Sequence, residues 1–345
     1  MTTTIAPVDR DHDPGPDAAN DRARPLESSA AEPIQPAGTA GGRVLVGTAS
    51  WTDPTMTAAG VFYPNGADSA EERLAYYASS FPVVEVDATY YALPAERTAQ
   101  LWAERTPPDF TFDIKAHALM TGQGTETRRL PKAIREALPE ELGAKARVYL
   151  KDFPDELKDE VWRTFRDALA PLKDKGQLGS ILLQYPKWVF PASENRALIA
   201  DAVERLAGWR VAVEFRNASW LNEKNRDRTL GFLSERSIPF VMVDEPQGFK
   251  SSVPPEVVVT SPELAVVRFH GRNAATWEAK NITPAERFRY LYSRDELSEW
   301  VPRVREVASQ AKEVHLMFNN CYANYGTTNA REIASLLADL EAGRE

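Results

Sequence analysis

The chain has 345 residues, 43% of them hydrophobic and 26% charged, which suits one large folded domain with a tail and excludes a collagen-like or fully disordered protein. Its net charge of −9 works against indiscriminate nucleic-acid binding, which rests on neutralising phosphates, but leaves room for a local basic pocket. Cys321 is the one cysteine, so an internal disulfide is excluded and a reducing compartment fits. No apolar run approaches the roughly 20 residues that span a bilayer, and no basic-then-apolar leader opens the chain. A cytoplasmic protein without a membrane partner is expected.

Residues 1–42 are rich in Pro, Ala, Asp, Gly and Ser and nearly free of large apolar side chains. Such a stretch cannot offset its ordering entropy by burial, so a disordered tail is predicted there, followed by a single domain over 43–345. Strand-like and helix-like runs then alternate. RVLVGTASW starts a strand at 43, helix is predicted over 71–81, strand over 83–90, helix over 96–104 and strand over 110–117. The stretch 118–154 breaks the rhythm, and as it leaves the end of the third strand it is expected to lie over the C-terminal mouth. Helix returns over 155–172, followed by strand 178–185, helix 193–206, strand 210–216, helix 225–236 and strand 239–244. A second irregular insertion, 245–263, stands where a helix is expected. Strand 264–270, helix 294–310, strand 314–319 and helix 329–340 complete the chain. This arithmetic predicts an α/β (β/α)8 TIM-type barrel, with long insertions after strands 3 and 6.

In such a barrel one lane of each strand packs on the helix ring and must be apolar, while the other fills the lumen. The stretch VAVEFRNASW shows the pattern, with Val211, Val213 and Phe215 on one lane and Glu214 and Arg216 on the other. Read this way, the inward lanes hold Glu85, Asp87 and Thr89, then Asp113, Lys115 and His117, then Gln184. They continue with Met242 and Asp244, Arg268 and His270, and finally His315, Met317 and Asn319. Barrel active sites lie at the C-terminal strand ends, which singles out Asp87, Lys115, His117, Gln184, Arg216, Asp244, His270 and Asn319.

The motifs VGTASW, FYP, VEVDATYYALP, WAERTPPDFTFDIKA, VEFRNASW, VRFHGR and FNN occur in that order. Together they resemble the YecE-like family, domain-of-unknown-function family 72, over roughly residues 44–340. The resemblance implies a TIM barrel and no particular activity. One position departs from the family pattern: a Gly often precedes the first-strand Trp, and Ser50 precedes Trp51 here.

Arg216 and Arg272 offer planar forks, and Lys115 a point charge, for a phosphate or carboxylate. An anionic small molecule is therefore the expected ligand. Asp87 and His270 are candidates for proton transfer, and Lys115 for stabilising developing negative charge or forming a Schiff base. Asn319 and Asn320 are candidates to orient substrate, and Trp220 and Tyr91 to stack on a sugar or base, or else to wall the barrel against the insertions. Glu85, Glu214, Asp244 and Arg268 would support these from behind. The bland alternative pairs the cations with Asp87, Glu214 and Asp244 as a structural network. Asp87, His117, Glu214, Asp244 and His270 could supply metal ligands, but Lys115 and Arg216 would repel a cation, so no metal site is assigned and no cofactor named.

The leading reading is an enzyme on an anionic substrate, in the manner of a metal-dependent hydrolase or an isomerase. The alternatives are a non-catalytic binding or adaptor protein and, by fold-level analogy alone, a nucleic-acid phosphodiester-processing enzyme. Composition and motifs leave the oligomeric state open.

Overall fold

The structure, a computed structural model, describes residues 37–38, 41–58 and 60–341. The expectation of a disordered tail falls mostly on residues outside the described ones. Of that stretch Ala37 and Gly38 are described, and they pair antiparallel with Val44 and Arg43.

Runs of β-branched and aromatic residues form the barrel strands: β1 Arg43–Ala49, β2 Val83–Val86, β3 Thr111–Lys115, β4 Leu178–Tyr185, β5 Val211–Phe215, β6 Val241–Asp244, β7 Ala265–Phe269 and β8 Glu313–Phe318. All eight run parallel, in the order β5-β4-β3-β2-β1-β8-β7-β6. Between β5 and β6 the ladder shrinks to a single parallel bridge, Val213 to Phe240, where Val213 N donates to Pro239 O at 2.9 Å. The barrel is thus nearly closed, as the sequence arithmetic predicts.

The intervening helices are α1 Ala70–Ala78, α2 Glu96–Glu104, α3 Asp155–Asp174, α4 Ser193–Arg205, α5 Arg226–Ser234, α6 Val301–Ala308 and α7 Tyr325–Glu341. Ser69 and Glu72 form a reciprocal capping box that starts α1. Helix α3 turns Leu157, Val161, Trp162, Phe165, Leu169 and Leu172 toward the barrel, the spacing of one apolar face. The single helix expected over 294–310 is two, Arg294–Ser298 and α6, because Pro302 in the first turn of α6 starts a new helix. No helix forms between β6 and β7, so the second insertion is irregular as expected.

Two expectations for the strands need correction. The strand expected over 83–90 ends at Val86, and Ala88–Tyr91 forms one helical turn begun by Asp87. Thr89 therefore does not point into the lumen. Its hydroxyl donates to Lys115 O at 2.6 Å and ties the tops of β2 and β3 together. In β6 the lanes are inverted: Arg268 pairs in register with Val243, and Phe269 with Asp244. Met242 and Asp244 hence face the helix ring. In VMVD three apolar residues precede the Asp, so no alternation sets the phase.

Candidate functional site

The inward lanes of the other strands converge as read, and their charges sort into layers. At the floor, near the N-terminal strand ends, His315 Nδ1 lies 2.7 Å from Asp113 Oδ2 and its Nε2 lies 2.9 Å from Glu313 Oε1. Ser180 Oγ donates to Asp113 at 2.7 Å and Arg210 reaches Glu313 at 2.7 Å. Burial alone would lower the His315 pKa, but Asp113 and Glu313 outweigh it and raise it to about 9. His315 is therefore a buried imidazolium at neutral pH, a structural group far from the mouth.

Above the floor, Arg268 holds Glu85 with Nε and Nη2, at 2.8 and 2.6 Å, and Glu214 with Nη1 at 2.5 Å. Glu214 also accepts from Gln184 at 2.7 Å and Arg216 at 3.3 Å, and its Oε1 lies 3.2 Å from His270 Nε2. Burial would raise the Glu214 pKa, yet Arg268, His270 and Arg216 together hold it well below the usual carboxylate range. Arg216 is further bound to Glu245 at 2.7 Å. Glu245, the residue after β6, was missed by sequence reasoning, which left it in the insertion. With the lanes of β6 inverted it is the inward residue. Burial pushes its carboxyl up to about 8 against the pull of Arg216.

The same side of the mouth carries a roof. The short helices Ala274–Trp277 and Pro284–Arg287 bring Trp277 over the Arg216 guanidinium, 4.7 Å from ring centre to carbon, and set Phe288 5.8 Å from the His270 ring. His270 is buried beneath them. Asn319 Nδ2 lies 2.9 Å from its Nδ1, so Asn319 donates there and the neutral imidazole donates through Nε2 to Glu214. Burial, reinforced by Arg216, pulls the His270 pKa down to about 3 despite Glu214. Both of its nitrogens are engaged.

Several candidate binding residues point elsewhere. Arg272 is forked onto Asp244, Nε to Oδ1 at 2.9 Å and Nη2 to Oδ2 at 2.8 Å, and reaches Glu299 at 3.1 Å. Tyr292 and Trp300 complete the cradle of Asp244, at 2.8 and 2.7 Å. This cluster sits on the wall between β6 and β7. Trp220 stacks on the outward Phe215 with ring centres 4.3 Å apart and donates to Val189 O at 2.8 Å, so it is wall. Asn320, one residue past the inward Asn319, faces the other way and donates to Tyr290 O and Asn329 Oδ1, both at 2.9 Å.

The open side of the mouth lies above β1, β2 and β3. Lys115 is part-exposed there, its ammonium 4.8 Å from the centre of the Tyr90 ring. Among the described residues no carboxylate comes within 4.0 Å of it. Burial and Arg268 lower its pKa, while Glu85, Asp87 and Glu214 work the other way. Asp87, also part-exposed, makes no side-chain hydrogen bond or ion pair to another of the described residues. Burial raises its pKa and Lys115 partly offsets the rise. Asp87 borders a cleft of about 220 Å³ with Ser50, Thr52 and Arg105. Tyr91, 45% exposed, stands beside Tyr90 at 4.9 Å between ring centres.

The first insertion flanks this open side. It contains a hairpin, Gly124–Glu126 with Arg147–Tyr149, and Tyr90 donates to Gln123 Oε1 at 2.7 Å just before it. His117 is buried at its root, where Nδ1 accepts from Leu119 N at 3.4 Å and burial pulls its pKa down to about 4. Among the described residues no three His, Cys, Asp or Glu side chains are grouped to hold a metal ion.

Eight parallel strands, helices between them and a loop-lined C-terminal mouth define a TIM-barrel-like α/β protein. The chain belongs to the family described as "Protein of unknown function DUF72", which matches residues 45–344. It is 29% identical over 302 residues to the UPF0759 protein YunF of Bacillus subtilis strain 168, covering 86% of this chain and 95% of YunF. Among solved structures it is similar to a DUF72 family protein from Thermotoga maritima MSB8, with TM-score 0.66, 29% identity, and 86% and 99% of the two chains covered. It is also similar to one from Enterococcus faecalis V583, with TM-score 0.67, 26% identity, and 86% and 95% covered. No helix among the described residues is long and apolar enough to cross a membrane.

Proposed function

We propose that the chain is an enzyme that binds a phosphate- or carboxylate-bearing substrate on the open side of the mouth, above β1 to β3, and carries out a hydrolysis or an isomerisation there. The observation that carries this reading is the state of Lys115. Arg216, Arg268 and Arg272 each hold at least two carboxylates, whereas no carboxylate lies within 4.0 Å of Lys115 among the described residues. A part-exposed cation left unpaired among ionised neighbours is stabilised by an anionic ligand.

In this reading Lys115 binds the anionic oxygen and Asp87 moves the proton, its raised pKa bringing it nearer neutrality. Asn319 orients the substrate, and His270 acts as a positioning residue that fixes the Asn319 amide. Tyr91 walls the bound molecule. The guanidinium groups of Arg216 and Arg272, taken up by their own carboxylates, shape the barrel rather than grip substrate. The motif set groups the chain with the YecE-like members of its family, and the lone Cys321 is consistent with a cytoplasmic location.

The test is a turnover screen of phosphate esters and carboxylic acids, run on the native protein and on Asp87→Asn, with protection from unfolding by phosphate measured alongside. Turnover lost in Asp87→Asn supports the reading. Phosphate protection without turnover of any substrate favours the non-catalytic binding protein.

A further inference from the structure

The hairpin of the first insertion carries a second cation to the open side of the mouth. Arg147 stands on the strand Arg147–Tyr149, opposite Glu126 in the antiparallel register. Glu126 does not take it. Its carboxylate is turned to Arg128 at 2.7 Å and Arg129 at 3.4 Å. Among the described residues Arg147 has no carboxylate within 4.0 Å, and the one hydrogen bond of its side chain runs from Nη1 to Gly124 O at 2.9 Å.

That bond lays the side chain flat across Gly124. A Cβ on Gly124 would come within 3.0 Å of Arg147 Cγ and 2.8 Å of the Tyr149 ring, so this close approach requires glycine. Arg147, itself exposed, lines a cleft of about 240 Å³ with Tyr90, Tyr91, Thr125, Arg129 and Glu126, the last already paired with Arg128 and Arg129. Tyr90 links this cleft to the proposed centre: its ring carries the Lys115 ammonium on one face, and its hydroxyl is fixed by Gln123 next to the hairpin. Two cations without carboxylate partners among the described residues therefore meet at Tyr90, Lys115 over its ring and Arg147 on the cleft it lines.

We propose that Arg147 is a specificity residue that binds a second anionic group of the substrate, so that the preferred substrate class is a dianion whose two acidic ends are joined by a spacer lying along Tyr90. The inference rests on the reading of Lys115 as the first anion site. A guanidinium offers a planar fork for a carboxylate or phosphate, and charge-assisted bonds of this kind are strong when the partner is not already taken. The tyrosine faces suit an uncharged carbon spacer.

The experiment titrates the native protein, Arg147→Met, Gly124→Ala and Lys115→Met with butyrate and with the α,ω-dicarboxylates from succinate to suberate, by calorimetry. The native protein is expected to bind the best-fitting diacid about tenfold more tightly than butyrate. Arg147→Met should remove that advantage while leaving butyrate affinity unchanged, and Gly124→Ala, which displaces the guanidinium, should reduce it. Lys115→Met should weaken both ligands. Equal affinity of the native protein for diacids and butyrate, or an unchanged preference in Arg147→Met, overturns the assignment of Arg147 but leaves the Lys115 site standing if butyrate binding depends on Lys115. Absence of any Lys115-dependent binding overturns both.

Discussion

Arg268 reaches across the barrel lumen to hold Glu85 by both carboxylate oxygens, at 2.6 and 2.8 Å, although 183 positions separate them in the chain. Its third contact, to Glu214, makes one guanidinium the partner of two buried carboxylates. A buried network of this kind does little for net stability against an apolar core, but breaking it strands charge. Arg268→Met is therefore expected to destabilise by about 3–5 kcal/mol, and combining it with Glu85→Gln and Glu214→Gln should recover part of the loss. Denaturant unfolding of the two variants measures both values.

Arg216 follows the same logic. From the sequence it is a mouth cation offered to a phosphate or carboxylate. With Glu214 and Glu245 at 3.3 and 2.7 Å and Trp277 over its guanidinium, Arg216→Met should instead lower stability by about 3 kcal/mol and leave phosphate protection intact. The penalty should depend on pH. A carboxyl raised in the fold costs stability as pH climbs from its ordinary value, and Glu245, already near 8, rises further without Arg216. The deficit of Arg216→Met, followed by thermal unfolding, is expected to stay level up to about pH 8, where Glu245 of the native protein ionises, and to widen above it.

At the barrel floor the sign is set by His315. Its folded pKa of about 9 lies above the ordinary 6.5, so its stabilisation is complete below pH 6.5 and is lost as pH rises through 9. The groups facing it are Asp113 and Glu313, the latter held down at about 2 by His315 and Arg210 against the effect of burial. The native protein should lose on the order of 3 kcal/mol over that alkaline window through this group. His315→Gln should flatten the slope there, whatever its absolute stability. Denaturant midpoints measured at several pH values compare the two slopes.

Ser50 sits at φ +107°, a conformation that suits glycine and strains a side chain. The Ser50 hydroxyl accepts from Thr52 N at 3.1 Å, a small return for the strain. Ser50→Gly is expected to stabilise by roughly 1 kcal/mol and raise the melting temperature by a few degrees. An unchanged or lower melting temperature would show that the strain at this turn is fully compensated.

The barrel was legible because the period-2 lanes of β2, β3, β5, β7 and β8 alternate charge with apolar bulk, and parallel register keeps paired residues on one face. That placed Glu85, Asp113, Lys115, Glu214, Arg216, Arg268, His270, His315 and Asn319 inside. The lane of β6 was not legible, since an apolar run ending in Asp244 has no phase, and Glu245 was overlooked for the same reason. Partner choice was equally hidden: nothing local shows that Arg272 turns back onto Asp244, or that the turn Ala218–Trp220 folds Trp220 onto Phe215. Which cation remains unpaired is a property of the assembled lumen, set by contacts between strands far apart in sequence.

The central claim is that Lys115 is the first anion-binding group of the mouth while Arg216, Arg268 and Arg272 are structural. Its most direct measurement is the protection of the native protein and of Lys115→Met against thermal unfolding by inorganic phosphate and sulfate. Lys115→Met is expected to fold with native-like stability, because it breaks no ion pair among the described residues, and the anion protection seen in the native protein is expected to be absent from the variant. Protection that is equal in both proteins, or a large loss of stability in Lys115→Met with no protection of the native protein, would contradict it.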